Sequence, residues 1–133
     1  MIAIDQQVIH DPENGKYGDC LRACIASILE LPSSDVPHFY EDGNEKIFDE
    51  KVSGFLGELG LALLNLNYFD LSIYPHATHG KTGIYHILSG YTERGTYHAV
   101  VGLDGSIVHD PHPSKAGLIG DKNEWQISFL VKI

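Results

Sequence analysis

The stretch that decides the fold is Gly18-Asp19-Cys20-Leu21-Arg22-Ala23-Cys24. Loop-forming residues precede it, and apolar residues at helical spacing continue to Leu31, so the sequence predicts a helix that begins near Cys20. Asp19 is a good N-cap for this helix, and Pro32 stops it. Because the helix is apolar on most sides, we expect it to lie at the centre of the fold.

The chain has only two cysteines, Cys20 and Cys24, and they differ in position. Side chains four residues apart on one helix run side by side, which is a poor geometry for a disulfide. Cys20 falls in the first turn, where unpaired N–H groups and the positive end of the helix dipole favour a thiolate. A thiolate attacks carbonyl carbon, so Cys20 is the candidate nucleophile and Cys24 is expected in the core. The competing interpretation is that Cys20 is simply a small apolar residue.

The rest of the chain predicts one more helix followed by strands. The helix is expected at about 47–59, and the strands at 61–74, 84–89, 97–103, 106–110 and 125–133. Asp104-Gly105 is a strong hairpin signal between the third and fourth of these strands. Helices followed by an antiparallel meander indicate an α+β fold, and the length suits a single domain over residues 1–133.

Composition excludes several classes of protein. The 133 residues include 9 Lys plus Arg and 18 Asp plus Glu, for a formal net charge of −9. Such an acidic balance argues against a nucleic-acid surface and against docking on an anionic membrane. No stretch approaches the roughly 18 apolar residues of a membrane span, and the first residues lack the basic start of a signal peptide. We therefore expect a cytoplasmic protein that binds neither nucleic acid nor membrane.

A thiol enzyme usually needs a histidine as acid and base, and a group that orients it. His98 lies in the third predicted strand, and Asp110 follows across the Asp104-Gly105 hairpin. With a two-residue turn, position 98 faces position 111, and His109 rather than Asp110 shares its face. With a three-residue turn and a Gly bulge, position 98 faces position 112, and Asp110 becomes a diagonal neighbour on the same face. We favour this second register, because an Asp followed by Pro at a strand end is well placed to orient an imidazole.

The same side chains have an alternative use as a metal site. Imidazole and carboxylate suit zinc, and the candidate ligands would be His98, His109, Asp110 and His112. No compact ligand motif such as H-E-x-x-H occurs, so we expect no metal and no cofactor. His86 falls in a strand and is expected to be a satisfied core residue. Four other histidines fall in predicted loops and are expected to be solvated: His10, His38, His76 and His79.

The cysteine and histidine segments together resemble the papain-like cysteine peptidases, most closely the small peptidase domain that removes leader peptides for bacteriocin exporters. That family pairs a Cys at a helix start, roughly D/E-C-G-A-A-C-L, with a downstream His strand and an Asp-Pro. The matching stretches occur here in the same order: Asp19-Cys20-Leu21-Arg22-Ala23-Cys24-Ile25, His98-Ala99-Val100-Val101-Gly102 and Val108-His109-Asp110-Pro111. Over most of its length the chain also resembles a group of small uncharacterised bacterial and phage proteins.

The resemblance implies a papain-like domain, in which the N-terminal helix carrying the Cys packs on an antiparallel sheet. It implies Cys20 as nucleophile, His98 as general base and acid, and Asp110 as the residue that orients His98. The family has a Gln six residues before its nucleophile, where it helps to form the oxyanion hole. Asn14 holds that position here, with Gln7 as the alternative donor if the loop folds back. The backbone N–H of Cys20 would be the second donor.

The function expected from these residues is acyl transfer from a protein or peptide substrate. Hydrolysis of a peptide or isopeptide bond is the expected version, and transamidation or deamidation would use the same residues. The alternative is a catalytically inactive papain-like module that binds a protein partner or inhibits another enzyme by charge complementarity. Two departures from the family pattern favour this alternative. They are Asn14, and Leu21 in place of a Gly, which would narrow the approach to the thiol.

Overall fold

The computed structural model describes residues 1–67 and 74–133. These residues form helices and one five-stranded antiparallel sheet, so the predicted α+β class is confirmed. The helices are α1 (Cys20–Leu29), α2 (Glu45–Glu58) and the short α3 (Tyr74–Ala77). The strands are β1 (Leu61–Leu66), β2 (Tyr85–Tyr91), β3 (Tyr97–Leu103), β4 (Ser106–His109) and β5 (Gln126–Lys132). None of the helices in the described ranges is long and apolar enough to cross a membrane.

Helix α1 begins at Cys20, where the sequence predicted it, and is buried along its middle. It ends at Leu29 rather than at Pro32, because Glu30 adopts a left-handed conformation (φ 58°) and its N–H bonds the carbonyl of Ala26. The helix packs against β3 and β2. Its central position therefore agrees with its apolar composition.

Helix α2 begins two residues before the predicted start. Asn44 is its N-cap, and its Oδ1 accepts hydrogen bonds from the backbone N–H groups of Lys46 (3.0 Å) and Ile47 (3.1 Å). Val52 and Leu56 bury the face that contacts the core.

The strands are ordered β1-β5-β2-β3-β4 across the sheet. Strands β2, β3 and β4 form the predicted meander, whereas β5 returns to lie between β1 and β2. The strand predicted over 61–74 ends at Leu66, and Tyr74 belongs to α3. Residues 68–73 of that prediction lie outside the described residues. Together α1 and α2 cover one face of the sheet, and a second apolar cluster around Trp125 packs on the other.

The β3–β4 hairpin decides which side chains face His98. Asp104 (φ 51°) and Gly105 (φ 87°) form a two-residue turn, because both have the positive φ that a type I′ turn requires. The favoured three-residue turn was therefore wrong. The pairing nevertheless shifts by one between Gly102 and Val101, and Val108 is left as the extra residue of a β-bulge.

The bulge restores the register that the sequence analysis favoured. Gly102 pairs with Ile107, but Val101 pairs with His109, so the ladder has moved by one residue before it reaches His98. Asp110 consequently lies on the same face as His98, and the two side chains are joined by a hydrogen bond. The prediction that Asp110 lies on the same face as His98 is thus right, although the predicted three-residue turn is wrong.

Candidate active site

His98, near the start of β3, and Asp110, just after β4, form a buried pair. The distance from His98 Nε2 to Asp110 Oδ1 is 2.7 Å, and each residue is only 5% exposed. A carboxylate can only accept, so Nε2 carries the proton, and in the neutral ring Nδ1 has the free lone pair. Nδ1 makes no hydrogen bond to any residue in the described ranges. The pair therefore holds the imidazole in the tautomer that a general base at Nδ1 requires.

Asp110 is held in place by the backbone of the following loop. Its Oδ1 accepts from the N–H of His112 (2.9 Å), and its Oδ2 accepts from the N–H of Gly117 (2.8 Å). Burial raises the pKa of this carboxyl, but the hydrogen bonds from His98, His112 and Gly117 outweigh burial, so its pKa lies below the ordinary value. Asp110 is consequently ionised at neutral pH.

His98 is neutral at neutral pH. Burial lowers the pKa of His98, and the hydrogen bond to Asp110 only partly opposes this effect, so the pKa lies below 6.5. The positive charge of Arg94 lowers the pKa a little further. His112 lies edge-on to the ring, with 6.0 Å between the ring centroids. His98 is thus available as a proton acceptor over a wider pH range than an exposed histidine.

Cys20 lines the same cavity as His98. The cavity has a volume of about 860 Å³, and Ala99, the neighbour of His98, lines it too. The backbone of Ala99 hydrogen-bonds the thiolate form of Cys20, which places the sulfur against the strand that carries His98. No hydrogen bond joins Sγ to the His98 ring in the part of the chain that the structure describes. Cys20 and His98 therefore line one cavity without a hydrogen bond between them.

The expectation of a thiolate at Cys20 was wrong for the resting protein. Burial raises the pKa of the thiol, and this outweighs the backbone hydrogen bonds from Ala99 and Leu21 that lower it. The N–H groups at the helix start therefore lower the pKa of Cys20, as predicted, but desolvation raises this pKa by more. Cys24 is completely buried, and burial raises its pKa well above the ordinary value, so it is a core residue as expected.

The structure does not bring Asn14 to the cavity. This residue is exposed, and its Nδ2 donates to Asp11 Oδ2 at 2.7 Å within the turn Pro12–Asn14. Gln7 is exposed and does not line the cavity either. Gln6 lines it instead, with its Nε2 donating one hydrogen bond to the carbonyl of Val8 (2.8 Å). The prediction that Asn14 lies at the site is therefore wrong, although it holds the position six residues before Cys20.

Asp19 explains why Gln6 reaches the cavity. Its buried side chain makes no cap hydrogen bond to α1, contrary to the sequence analysis. Its Oδ1 instead accepts from the backbone N–H groups of Gln7 (3.0 Å) and Val8 (2.9 Å). These bonds hold the N-terminal arm, residues 1–8, against Asp19, the neighbour of Cys20. On the other side of the arm, the N–H of Gln6 donates to the carbonyl of Pro111 (3.0 Å). The arm thus bridges the Cys20 side and the Asp110 side of the cavity.

The remaining walls of the cavity are of mixed character. Leu21 lines it beside Cys20, where the resembling family has a Gly. Aromatic side chains line it on the α2 side: Phe39, Tyr40 and Phe48. Its charged residues lie on α1 and α2, before α1 and in the turn between β2 and β3, and they are Asp19, Arg22, Glu45, Asp49 and Arg94. The guanidinium of Arg22 is occupied by the carbonyls of Ser33 and Val36.

The proposed zinc ligands do not converge. Among the described residues there is no group of three or more His, Cys, Asp or Glu side chains that could hold a metal ion. His98 Nε2 is engaged by Asp110, and His109 Nε2 hydrogen-bonds the carbonyl of Ile4 at 2.8 Å. His109 therefore fixes the N-terminal arm instead of joining the His98 cluster.

Comparisons of the chain with protein-family models, with curated proteins and with solved structures found no match. A function for this site therefore has to be inferred from its chemistry. That chemistry comprises a thiol at a helix start, an imidazole held in one tautomer by a carboxylate, and a cavity that both enter. Such a set can perform nucleophilic acyl transfer.

Proposed function

We propose that the protein is a papain-like thiol hydrolase that cleaves a peptide, isopeptide or related amide bond in a protein or peptide substrate. The observation that carries the proposal is the 2.7 Å bond from His98 Nε2 to Asp110, in the cavity that Cys20 lines. A buried imidazole pinned by a carboxylate is costly for stability alone and useful for proton transfer. Cys20 is the nucleophile, His98 the base and acid, and Asp110 the residue that orients His98.

The resting protonation states favour a coupled proton transfer. The pKa of Cys20 is raised and that of His98 is lowered, so both groups are neutral before substrate arrives. In the proposed reaction His98 Nδ1 takes the thiol proton while Sγ bonds the carbonyl carbon. His98 then gives this proton to the leaving amine as the C–N bond breaks. Water, deprotonated by His98, hydrolyses the resulting thioester and regenerates the thiol.

Two donors are available for the negative charge on the substrate oxygen. The backbone N–H of Cys20 is in the first turn of α1 and therefore has no partner within the helix. The side-chain amide of Gln6 has a second N–H beyond the one bonded to Val8. We assign Gln6 the role that the family resemblance gave to Asn14, because Gln6 lines the cavity and Asn14 does not.

A second candidate is the catalytically inactive papain-like module that binds a protein partner. The raised pKa of Cys20 favours it, because a neutral thiol without a hydrogen bond to His98 is a weak nucleophile at rest. The net charge of −9 would suit a basic partner. This candidate predicts ligand binding without turnover, whereas the hydrolase predicts an acyl-enzyme that forms and decays.

The two candidates are separated by acylation with p-nitrophenyl acetate. The hydrolase predicts acetylation of Cys20, detected by mass spectrometry, followed by turnover. Cys20→Ala and His98→Gln should each slow turnover by about 100-fold or more, since they remove the nucleophile and the base. Cys24→Ala is the matched thiol control and should keep the wild-type rate. Full turnover in Cys20→Ala would refute the hydrolase, and an acetyl-Cys20 that never decays would favour the binding module.

A further inference from the structure

The face of the sheet next to Cys20 becomes polar where a core would normally continue. Ala99 pairs with Ser89 on β2, and Ser89 pairs with Gln126 on β5, so these three side chains share one face of the sheet. Ser128 lies two residues beyond Gln126 on that face, and it pairs with Asn65 on β1. We call these four side chains, Asn65, Ser89, Gln126 and Ser128, the polar trough. All four line the cavity that Cys20 enters.

The polar trough has hydrogen-bonding atoms to spare. Ser89 is 7% exposed, and its hydroxyl has no hydrogen-bond partner within the described residues. Ser128 Oγ donates to Asn65 Oδ1 (2.6 Å), and Gln126 Nε2 donates to Asn67 Oδ1 (2.8 Å). These bonds leave the Asn65 amide N–H groups and Gln126 Oε1 unused. The Ser89 hydroxyl is open to the cavity, so it and these unused groups are available to a ligand that lies along the trough.

The position of the polar trough gives the length of that ligand. Ala99, whose backbone meets the Cys20 sulfur, is on β3, and Asn65 is three strands away on β1. Neighbouring strands are about 4.8 Å apart, so the distance is roughly 14 Å. An extended peptide rises about 3.3 Å per residue, and this distance therefore holds about four residues.

The chemistry of the polar trough gives the class of that ligand. It contains no charged side chain, whereas the charged residues of the cavity, such as Glu45 and Asp49, are on helices or in loops. A charged side chain of a substrate would therefore find no oppositely charged partner among these four residues. Unused donors and acceptors alternate across the strands, and each peptide group likewise offers one N–H and one C=O.

We propose that the polar trough is a substrate subsite for the main chain of about four extended residues with uncharged side chains, next to the bond that Cys20 attacks. This inference rests on the proposed hydrolase function for the attack itself. Binding of the peptide does not depend on that chemistry. The two can therefore be tested separately.

The test compares two affinity labels that carry the same reactive group: acetyl-Gly chloromethyl ketone and acetyl-Ser-Gly-Ser-Gly chloromethyl ketone. The longer label should alkylate Cys20 about tenfold or more faster at subsaturating concentration, because it places hydrogen-bonding groups along the polar trough. Ser89→Ala and Asn65→Ala should each reduce this gain about threefold, the expected effect of one lost hydrogen bond. Ser53→Ala, a hydroxyl on the α2 wall of the same cavity, should leave it unchanged.

Three results would overturn the proposal. The first is equal labelling rates for the two compounds, and the second is a gain that survives both trough substitutions. The third is an equal or larger gain when N-acetylglucosamine replaces the peptide, which would make the trough a glycan subsite. A label with Glu in place of Ser should also lose the gain.

Binding without chemistry separates this proposal from the hydrolase itself. Acetyl-Ser-Gly-Ser-Gly amide should shift the NMR side-chain amide signals of Asn65 and Gln126 in the Cys20→Ala protein, even if no label ever reacts. Unchanged signals at millimolar peptide would refute the subsite. If the signals shift but Cys20 of the wild type does not react, the subsite proposal holds and the hydrolase proposal is refuted.

Discussion

His86 and His98 lie on neighbouring strands of one sheet and are buried to almost the same extent, yet their surroundings give them different chemistry. His86 is 1% exposed and His98 is 5% exposed. At His86 the Nε2 atom accepts a hydrogen bond from the backbone N–H of Gly105 (2.9 Å), beneath the β3–β4 turn. At His98 the Nε2 atom donates to the Asp110 carboxylate. Equal burial therefore does not imply an equal role.

The difference teaches that the partner of Nε2 determines what a buried histidine can do. His86 must stay unprotonated at Nε2 to hold the turn, and burial lowers its pKa to about 4. His98 is protonated at Nε2 and keeps the free lone pair at Nδ1, and this residue lines the cavity that Cys20 also lines. We therefore expect His86 to contribute to stability and His98 to contribute to reactivity.

The largest expected effect is the separation of these roles by substitution. His98→Gln should slow p-nitrophenyl acetate turnover by about 1,000-fold, within the range for loss of a general base, and change stability little. The matched substitution His86→Gln should keep the turnover of the folded protein within about twofold. Stopped-flow or steady-state rates at neutral pH measure both. A comparable loss of turnover in the two variants would show that His86 and His98 do not differ in role.

The next effect is the pH dependence of stability that His86 produces. Its folded pKa of about 4 lies below the unfolded value of 6.5, so the unfolded chain takes up a proton before the folded protein does. Stability should therefore fall as the pH drops below about 6.5 and level off below about 4, by a total of about 3 kcal/mol. Urea unfolding across this range measures it. His86→Gln should reduce this dependence and leave the part that His98, whose pKa is also lowered, produces. An unchanged slope in this variant would contradict the assignment.

A smaller effect should come from filling the space beside the His86 ring. A Cβ at Gly102 would overlap this ring, whereas a Cβ at Gly54, on the exposed side of α2, would meet nothing. Gly102→Ala should therefore destabilise the protein by about 2 kcal/mol. Gly54→Ala should stabilise it by about 0.5–1 kcal/mol, because glycine is unfavourable within a helix. Thermal or urea unfolding compares the two, and a harmless Gly102→Ala would show that His86 is not tightly packed.

The smallest expected effect comes from removing the negative charge of Asp110 beside His98. In Asp110→Asn the amide oxygen can still accept from Nε2, but the negative charge that stabilises a protonated His98 is lost. Turnover should fall about tenfold, which corresponds to about 1.4 kcal/mol. The rate of acetyl-Cys20 formation measures this change. A loss as large as that of His98→Gln would mean that Asp110 does more than orient the ring.

Local sequence signals were enough for the elements that carry His98 and Cys20. Apolar spacing fixed the start of α1, and Asp104-Gly105 fixed the hairpin, because both depend on residues close in sequence. The bulge at Val108 had no signal of its own. The shifted register was inferred from the Asp-Pro strand end, but the extra residue was expected in the turn rather than at Val108.

Long-range contacts were beyond the sequence analysis. Asp19 reaches back eleven and twelve residues to the N–H groups of Val8 and Gln7, so Gln6 rather than Asn14 lines the cavity. The insertion of β5 between β1 and β2 likewise depends on partners far apart in the chain. The raised pKa of Cys20 follows from burial, which the helix-dipole argument does not include.

The pH profile of Cys20 alkylation by iodoacetamide tests most directly whether Cys20 and His98 act together. In the wild type the rate should rise with an apparent pKa below 6.5, because neutral His98 takes the thiol proton. In His98→Gln this limb should vanish, and the rate should follow the thiol alone, with a pKa above 9.0. A wild-type profile identical to that of His98→Gln would contradict the account, because Cys20 would then react without its histidine.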